Sequence, residues 1–529
     1  MWTPPSSWDD ALALTAGYKD RCASEARLWD FYLGNHAAFV RRRDNETDED
    51  FARRPKIVTN VIGLALDTKV SYLYGAPISR RVLNASPDLS TRLADVWDGN
   101  QMPSFMQTVA TEALVTGDAY IAVKWNADAD EPVRYVLWPT QSVFPITAPD
   151  DVNTLVAYAY RYDYPVDPGS LENPSIADRV AQLKGQMVER THIEIITKDV
   201  WHVWDDGSRQ SDQESQGGRN PYGRIPVAHI VNKPLPHRFE GESDIRDLEV
   251  LQLEINARLS DVAEVVQYHA APILQGKNIK AKQISRDAKR FFGVTELPGQ
   301  NAGFEYVTYD GAMPSSKLVI DYLLKEFSKV SRVPPTALGN LEELGNLTSG
   351  RALKVMYGPL EADINQKRLL YGHGERALLK ATLAVLQHHE PGTTADGVKL
   401  HLGWPSQLIP QDPMEEASTY QVLIAMNLAS RRQYLRERFP LLPDRVADGS
   451  EVWDDAPASL DQMEEEIDHE TAERMALGAS IAAKGVYETS VNDGGKLPPT
   501  STQQTMGTVA AKAAGRARAG FGPEPRIPK

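Results

Sequence analysis

Two stretches in the middle of the chain carry apolar residues at steps of three and four, the period of one face of an α-helix. Ser243 is the predicted N-cap of the first helix, with Asp244 near the positive end of its dipole. Pro272 ends this helix and Pro334 ends the second, because a residue before proline leaves the α region. A β-rich insert separates the two, so residues 241–334 are predicted to project as a stalk. The apolar positions are Ile245, Leu248, Leu251, Ile255, Leu259, Val262 and Val266, then Leu318, Leu323, Leu324, Phe327 and Val330.

The chain before the stalk combines helices with a block of strands. Helical periodicity covers residues 8–33, 60–75 and 105–115, and the mixed-charge stretch 41–55 between the first two predicts a solvated connection. From 119 to 231 short runs alternate like strands, separated by turn residues. Helices followed by strands, without regular βαβ alternation, indicate a mainly helical α+β fold.

The chain after the stalk is again helical. A Gly- and Asn-rich loop precedes a periodic stretch of about 40 residues, in which Pro359 predicts a kink because proline removes one helix hydrogen bond. A strand is predicted near 398–404, followed by helices at about 412–428 and 430–438. The last residues are rich in Pro, Thr, Gly, Ala and Arg, a composition typical of a disordered tail.

Composition narrows the class of protein. The 529 residues carry a formal charge of −15. This charge argues against a protein that binds nucleic acid tightly by neutralising its phosphates, but not against one that lets nucleic acid move past without tight binding. No apolar run approaches the roughly 18 residues of a membrane span, and the N-terminus lacks the basic region of a signal peptide. With the single Cys22, this favours a reducing, cytosolic compartment and no membrane.

The usual motifs of enzymes and cofactor sites are not met. Gly372, Gly374 and Ala377 match a dinucleotide-binding pattern, but they lie within a predicted helix rather than after a strand, so small residues at a close helix crossing explain them better. The adjacent His388 and His389 cannot face one metal ion from a helix, and a solvated helix end is expected there. The sequence therefore predicts no enzyme, with no catalytic, cofactor-binding or metal-binding residue.

Two alternatives stay open. One is an enzyme with an unrecognised carboxylate-metal site, for example a nuclease. The other is a helix-turn-helix DNA-binding protein, in which Arg431, Arg432 and Arg436 would lie on the second helix, although Glu415 and Glu416 precede it.

The order of the segments resembles that of phage portal proteins, in particular those of tailed double-stranded-DNA phages with long flexible tails. The similarity extends over roughly residues 55 to 470 and depends on the succession of segments rather than on one motif. The matching stretches are NVIGLALDTKVSYLYGAPI, TGDAYIAV, EIIT, YGRIPVAHIVN, EGESDIRDLEVLQLEINARLSDVAE, LTSGRALKVMYGPLEADINQK and LASRRQYLRERFP.

The resemblance implies a ring at one capsid vertex, usually of twelve subunits. It also implies a division of each subunit into regions. These are a wing of helices and a β-rich block (1–240), stem helix 1 (241–270), the clip (271–312), stem helix 2 (313–333), the tunnel loop (334–349), a long kinked helix with a wing strand (350–410), the crown (411–490) and a disordered tail (491–529).

Three sets of site residues follow from the resemblance. The tunnel loop would face DNA with Leu341, Glu342, Glu343, Gly345, Asn346, Leu347 and Thr348, although a plain exposed loop is the simpler alternative. The stem would face the channel with Asp247, Glu254, Asp261 and Glu264. The clip would dock partners, or pack against neighbouring subunits, with Lys277, Lys280, Lys282, Arg286, Lys289 and Arg290.

The implied function is that of a conduit for genome packaging and ejection. The implied partners are the terminase large subunit, head-completion or adaptor proteins, the scaffold and major capsid proteins, and double-stranded DNA that passes non-specifically. The protein would be found in the virion, and in the host cytoplasm during assembly.

Overall fold

The structure is a computed structural model of the chain, which divides into a unit of Met1–Leu441 and a second unit of Leu442–Lys529. In the second unit only 463–464 and 467–469 are described, and these residues are helical. In the first unit the described residues are 2–44, 46–170, 176–206, 208–210, 218–270, 273–277, 303–307, 313–339, 350–393, 397–404, 413–426, 428 and 430–438.

The helices follow the predicted order. They are α1 (Trp8–Leu14), α2 (Tyr18–Leu33), α3 (Asp48–Arg53), α4 (Val61–Tyr74), α5 (Pro87–Gly99), α6 (Met102–Thr116), α7 (Ile176–Leu183), α8 (Glu249–Ala270), α9 (Met313–Ser331), α10 (Gly350–His389), α11 (Pro413–Ala425) and α12 (Arg431–Arg438).

The strands form antiparallel sheets. The strands are β1 (Ser79–Leu83), β2 (Asp118–Trp125), β3 (Val133–Trp138), β4 (Val143–Thr147), β5 (Leu155–Val166), β6 (Val188–Thr197), β7 (Trp201–Asp205), β8 (Ser208–Gln210), β9 (Val227–Val231), β10 (Ile273–Lys277), β11 (Gly303–Val307) and β12 (Lys399–Gly403). Their spatial orders are β1-β12, β10-β11, β3-β2-β9 and β4-β5-β6-β7-β8. The mixed helix and sheet content confirms the α+β class, and the β10-β11 pair gives the insert its strands.

The three-stranded sheet lies inside the main core because both of its faces are covered. Residues 119–123 of β2 are all buried. On one face Tyr120 stacks on His229 and meets Tyr158 of β5 edge-on. On the other face Ile230 packs against α10, where a Cβ on Gly374 would lie 2.2 Å from its Cγ1. Gly374 is therefore required by the close approach of a strand, and not by a helix crossing as the sequence suggested.

Three predictions about helix ends and loops need correction. The N-terminal helix is broken into α1 and α2, although Ser7 caps α1 as expected by accepting a hydrogen bond from Asp10 N. The first stalk helix begins at Glu249 rather than near Ser243, whose hydroxyl donates to the Val115 carbonyl. The connection 41–55 contains α3 and is attached to the stalk, as described below.

The other predicted boundaries agree with the structure. Asn60 caps α4, α8 ends at Ala270, and α10 runs through Pro359 from 350 to 389. The kink at Pro359 stays a prediction. The expected solvated end of α10 is wrong for His389, which stacks on Trp125 at 4.4 Å between ring centroids. The predicted disordered tail lies outside the described residues.

A buried ionic cluster joins the stalk to the rest of the fold. Lys69 Nζ of α4 lies 2.7 Å from Asp244 Oδ2 and 3.0 Å from Asp363 Oδ2 of α10. Lys367, one turn further along α10, lies 3.1 Å from Asp244 Oδ1. Arg332, directly after α9, lies 3.2 Å from Asp363 Oδ1. These five side chains, here called the ionic cluster, tie together four parts of the chain that are distant in sequence.

Burial makes this pairing obligatory. Burial raises the pKa of Asp244, but the ammonium groups of Lys69 and Lys367 outweigh this effect and lower that pKa well below its usual range. Burial lowers the pKa of Lys69, but its two carboxylate partners raise that pKa by more, so that it lies above its ordinary value. An unpaired charge at this depth would lose its hydration without compensation.

We expect Asp244→Asn to lower the free energy of unfolding by about 3–5 kcal/mol, because it leaves two buried ammonium groups sharing too few carboxylates. Because its folded-state pKa is lowered, Asp244 stabilises the fold above its ordinary pKa, and the stabilisation is lost as the pH falls through the folded-state value. Denaturant titrations of wild type and variant at equal protein concentration would measure the first effect at pH 7 and the onset of the second between pH 4 and pH 2.

Asp247→Asn is the matched control. The Asp247 carboxylate is 64% exposed and lies 3.5 Å from Lys233 Nζ, so its loss should change the free energy of unfolding by less than about 0.5 kcal/mol. Equal stability of the two variants at pH 7 would contradict the structural role given to Asp244.

Candidate functional site

The most unusual feature of the fold is the helix pair α8 and α9, which holds the β10-β11 pair at one end and the ionic cluster at the other. The two helices pack along each other. Ile255 of α8 and Phe327 of α9 are buried in the main core, with Leu251, Leu323 and Leu324 partly buried against it. The predicted apolar periodicity therefore produces the predicted helix pair, here called the stem hairpin (249–331).

A row of polar side chains on α8 holds the segment before α4. Gln252 Oε1 accepts hydrogen bonds from the backbone N–H groups of Val61 and Ile62, both at 3.1 Å. Asn256 Oδ1 accepts from Thr59 N at 3.1 Å, and Ser260 Oγ accepts from Ile57 N at 3.0 Å. We call this contact the polar seam, formed by residues 57–62 and the α8 side chains 252, 256 and 260. It satisfies backbone donors, including those at the start of α4, that would otherwise be buried without partners.

The polar seam was missed by sequence reasoning, although a signal was present. Gln252, Asn256 and Ser260 recur at steps of four, which places them in one row on a helix. Their neighbours Leu248 and Ile255 are buried, so the row lies on the inward side of the helix. A polar row beside an apolar one indicates contact with backbone groups rather than with solvent.

Each predicted channel-facing carboxylate has a cationic partner within the chain. Asp247 lies near Lys233, and Glu254 pairs with Arg258 one turn away. Asp261 and Glu264 both pair with Arg43, in the connection that was expected to be solvated, the latter at 2.9 Å. Asp247 and Glu254 are the more exposed of the four carboxylates, at 64% and 43%.

The other predicted site residues fall mainly outside the described part. Leu341 and the remaining tunnel-loop candidates lie outside the described residues, in the range 340–349. Of the clip candidates only Lys277 is described, at the end of β10 opposite Gly303. Lys280, Lys282, Arg286, Lys289 and Arg290 lie outside the described residues.

The outward side of α9 exposes several large apolar side chains among its lysines. Leu318 and Tyr322 are 69% and 62% exposed, and Val319 and Val330 are also exposed. The sequence placed Leu318 and Val330 on the same face as Phe327, but the structure separates them, because α9 packs its inner side on α8 and leaves a second apolar side uncovered. A row of exposed apolar side chains on one helix is typical of a protein interaction surface.

A cavity of about 170 Å³, open to solvent, lies at the base of the stem hairpin beside the ionic cluster. All of its lining residues but Val330 are polar or charged, and they come from α4, α9 with the residue after it, α10 and the chain before α8. The lining residues are Lys69, Asn232, Lys233, Asp244, Asp247, Val330, Ser331, Arg332, Asp363, Gln366 and Lys367.

Two further classes of site are absent from the described part of the chain. No group of three or more His, Cys, Asp or Glu side chains there is arranged to hold a metal ion. No described helix has the length and apolar character needed to cross a membrane.

The helices proposed for the helix-turn-helix alternative are present. α11 and α12 meet through Tyr420 and Tyr434, whose ring centroids lie 4.7 Å apart. Leu435 of α12 is buried. Arg431 and Arg432 make contacts within the chain.

Comparison with known proteins identifies the family. No curated protein sequence matches the chain. Among solved structures, a chain from the "Virion of native gene transfer agent (GTA) particle" is 13% identical, with a TM-score of 0.38, over 81% of this chain and 99% of that one. The family model described as "Phage portal protein, SPP1 Gp6-like" matches residues 15–473. Because this match covers most of the 529 residues, the chain belongs to the SPP1 Gp6-like family of phage portal proteins.

Proposed function

We propose that this chain is the subunit of a ring at one capsid vertex, and that double-stranded DNA passes through this ring during genome packaging and ejection. Family membership over residues 15–473 is the observation that carries the proposal. In this assembly, residues 241–333 with their insert form the stem and clip, 334–349 the tunnel loop, and 411–490 the crown.

The uncovered side of α9 supplies a surface for the neighbouring subunit. Fully burying a side chain as large as Leu or Phe contributes about 1.5–3 kcal/mol, so a row that includes Leu318, Val319 and Tyr322 contributes substantially to association. Repetition of one such contact around a closed ring multiplies the effect, because each subunit contributes two interfaces. A monomer gains nothing from exposing this row.

The acidic carboxylates of α8 suit the wall of a conduit. Glu254 of α8 and Asp247, two residues before the helix, are the more exposed candidates for the channel face, whereas Asp261 and Glu264 are partly neutralised by Arg43. A wall without excess positive charge avoids the release of counterions that makes DNA adhere to a protein. DNA would then pass without stopping at any one position.

The partners proposed for the ring follow from the same role. The basic clip residues 277–290 would dock the terminase large subunit during packaging and head-completion or adaptor proteins afterwards. The scaffold and major capsid proteins would surround the ring in the virion, after assembly in the host cytoplasm. We propose twelve subunits for the ring.

No second function is proposed. The family is structural rather than enzymatic. In the described part of the chain, no cluster of carboxylates forms a metal site that would favour a nuclease.

We expect Tyr322→Asp to impair ring formation, because the interface would bury a carboxylate without a partner. Leu183→Asp is the matched control, since Leu183 is 88% exposed on α7, outside the stem. Mass photometry and class averages of negatively stained particles should show rings for wild type and control, and mainly small species for Tyr322→Asp. Undiminished rings in Tyr322→Asp would exclude α9 as the subunit contact.

We expect deletion of residues 340–348 to leave the ring intact but to reduce DNA packaging or retention. A variant in which a Gly/Ser loop of equal length replaces the segment separates the effect of side chains from that of loop length. The measurement is the yield of DNA-filled heads per assembled ring. A normal yield of filled heads from the deletion would refute the tunnel-loop assignment.

A further inference from the structure

We propose that the cavity at the base of the stem hairpin binds a small oxyanion of the phosphate class. The proposal rests on the geometry of a single subunit and not on the proposed function, so either can fail without the other. The ionic cluster forms one wall of the cavity.

The charges of the ionic cluster are unequal. Lys69, Lys367 and Arg332 supply three positive charges, whereas Asp244 and Asp363 supply two negative ones. Each carboxylate is therefore shared between two cations, and one positive charge is left over beside the cavity.

Of the two buried lysines in the ionic cluster, Lys367 has the smaller share of negative charge to neutralise its ammonium group. Its ammonium group is 4% exposed and shares Asp244 with Lys69, which lies nearer to that carboxylate. Its second partner is the neutral Asn232 Oδ1, at 2.5 Å. Burial consequently lowers the pKa of Lys367, whereas Lys69 has two carboxylate partners and a raised pKa. An anion beside Lys367 would supply the missing charge.

Hydrogen-bond donors remain available at the cavity. An ammonium group has three N–H donors. Among the described contacts Lys69 donates one hydrogen bond, to Asp244, besides its ion pair with Asp363, and Lys367 donates two, to Asn232 and Asp244. A guanidinium group has five, and among the described contacts Arg332 uses one at Asp363. These donors converge on the cavity from two helices and from the end of a third.

A tetrahedral oxyanion fits these features better than the other ligand classes. Its oxygens accept several charge-assisted hydrogen bonds at once, and the planar Arg332 side chain suits two of them. A cation would meet the surplus positive charge, and an apolar ligand would leave the charged side chains at the cavity without a partner. At the rim, Asp247 is paired with Lys233, which limits its repulsion of an anion. The volume of about 170 Å³ exceeds that needed for a few water molecules.

The backbone at the cavity rim is unusual. Arg332 has a φ of 61°, in the left-handed region that residues other than glycine rarely adopt. Its position is fixed by Val333 and Ser331 on either side, both buried. The end of α9 therefore holds Arg332 at the cavity, instead of leaving it free on the surface.

The test is isothermal titration of the full-length protein with inorganic phosphate at pH 7 and constant ionic strength. We expect saturable binding of one phosphate per chain. Arg332→Gln and Lys367→Met should each weaken binding by about tenfold or more, the effect of losing one charged donor. Lys317→Gln, which removes an exposed charge on α9 away from the cavity lining, should bind phosphate like wild type.

Circular dichroism would show whether each variant is folded, and Arg332→Gln is the variant safest in this respect because Arg332 is half-exposed. Failure of wild type to bind phosphate saturably, or equal affinities in wild type and Arg332→Gln, would overturn the proposal. A blunt DNA duplex without terminal phosphates, added as competitor, identifies the source of the oxyanion. Displacement of phosphate would assign the site to a nucleic-acid backbone, and no displacement would assign it to a free phosphate compound.

Discussion

The attachment of the stem hairpin depends on the burial of charge at its base. Lys69 and Lys367 can be held inside the protein only if carboxylates accompany them, and Asp244 reaches both. Asp244 immediately precedes the turn into α8, so placing its carboxylate also places the start of the stem. Arg332 directly follows α9, so its ion pair with Asp363 positions the end of that helix against α10. One network of charges thus holds the start of α8 and the end of α9, which both lie at the base of the hairpin, against α4 and α10.

The polar seam extends this fixation along α8. Apolar contacts are non-directional and tolerate sliding. The hydrogen bonds that Gln252, Asn256 and Ser260 accept from backbone N–H groups fit one register only. Arg43 adds ion pairs to Asp261 and Glu264 further along the helix. The inner side of the stem hairpin is therefore specified by polar geometry, and the outward side of α9 is the surface that we propose for association.

This division of roles agrees with membership of the portal family. A subunit that works in a ring needs a rigid connection between its stem and its body, and an outward surface that recognises another copy of itself. The ionic cluster and the polar seam meet the first need. The exposed apolar row on α9 is suited to the second.

The sequence by itself determined most of the helices and strands, because their periods, caps and prolines are local properties. The Asn60 cap, the end of α8 before Pro272 and the strand pattern around β2 all needed information from a few neighbouring residues only. The helix pair of the stem was predicted for the same reason. The break between α1 and α2, and the late start of α8 at Glu249, were not predicted. At both places contacts with distant segments compete with the local helix preference, as the bond from Ser243 to the Val115 carbonyl illustrates.

The site was decided by tertiary structure. Asp244 was expected to act locally on the dipole of its own helix, but its partners Lys69 and Lys367 lie more than a hundred residues away on either side. Likewise, periodicity could not divide the apolar residues of α9 between an inner and an outer side, because that division depends on where α8 lies. A sequence pattern specifies which residues can share a face. Only the packing of distant segments decides which face is buried, which charge is paired and where a cavity remains.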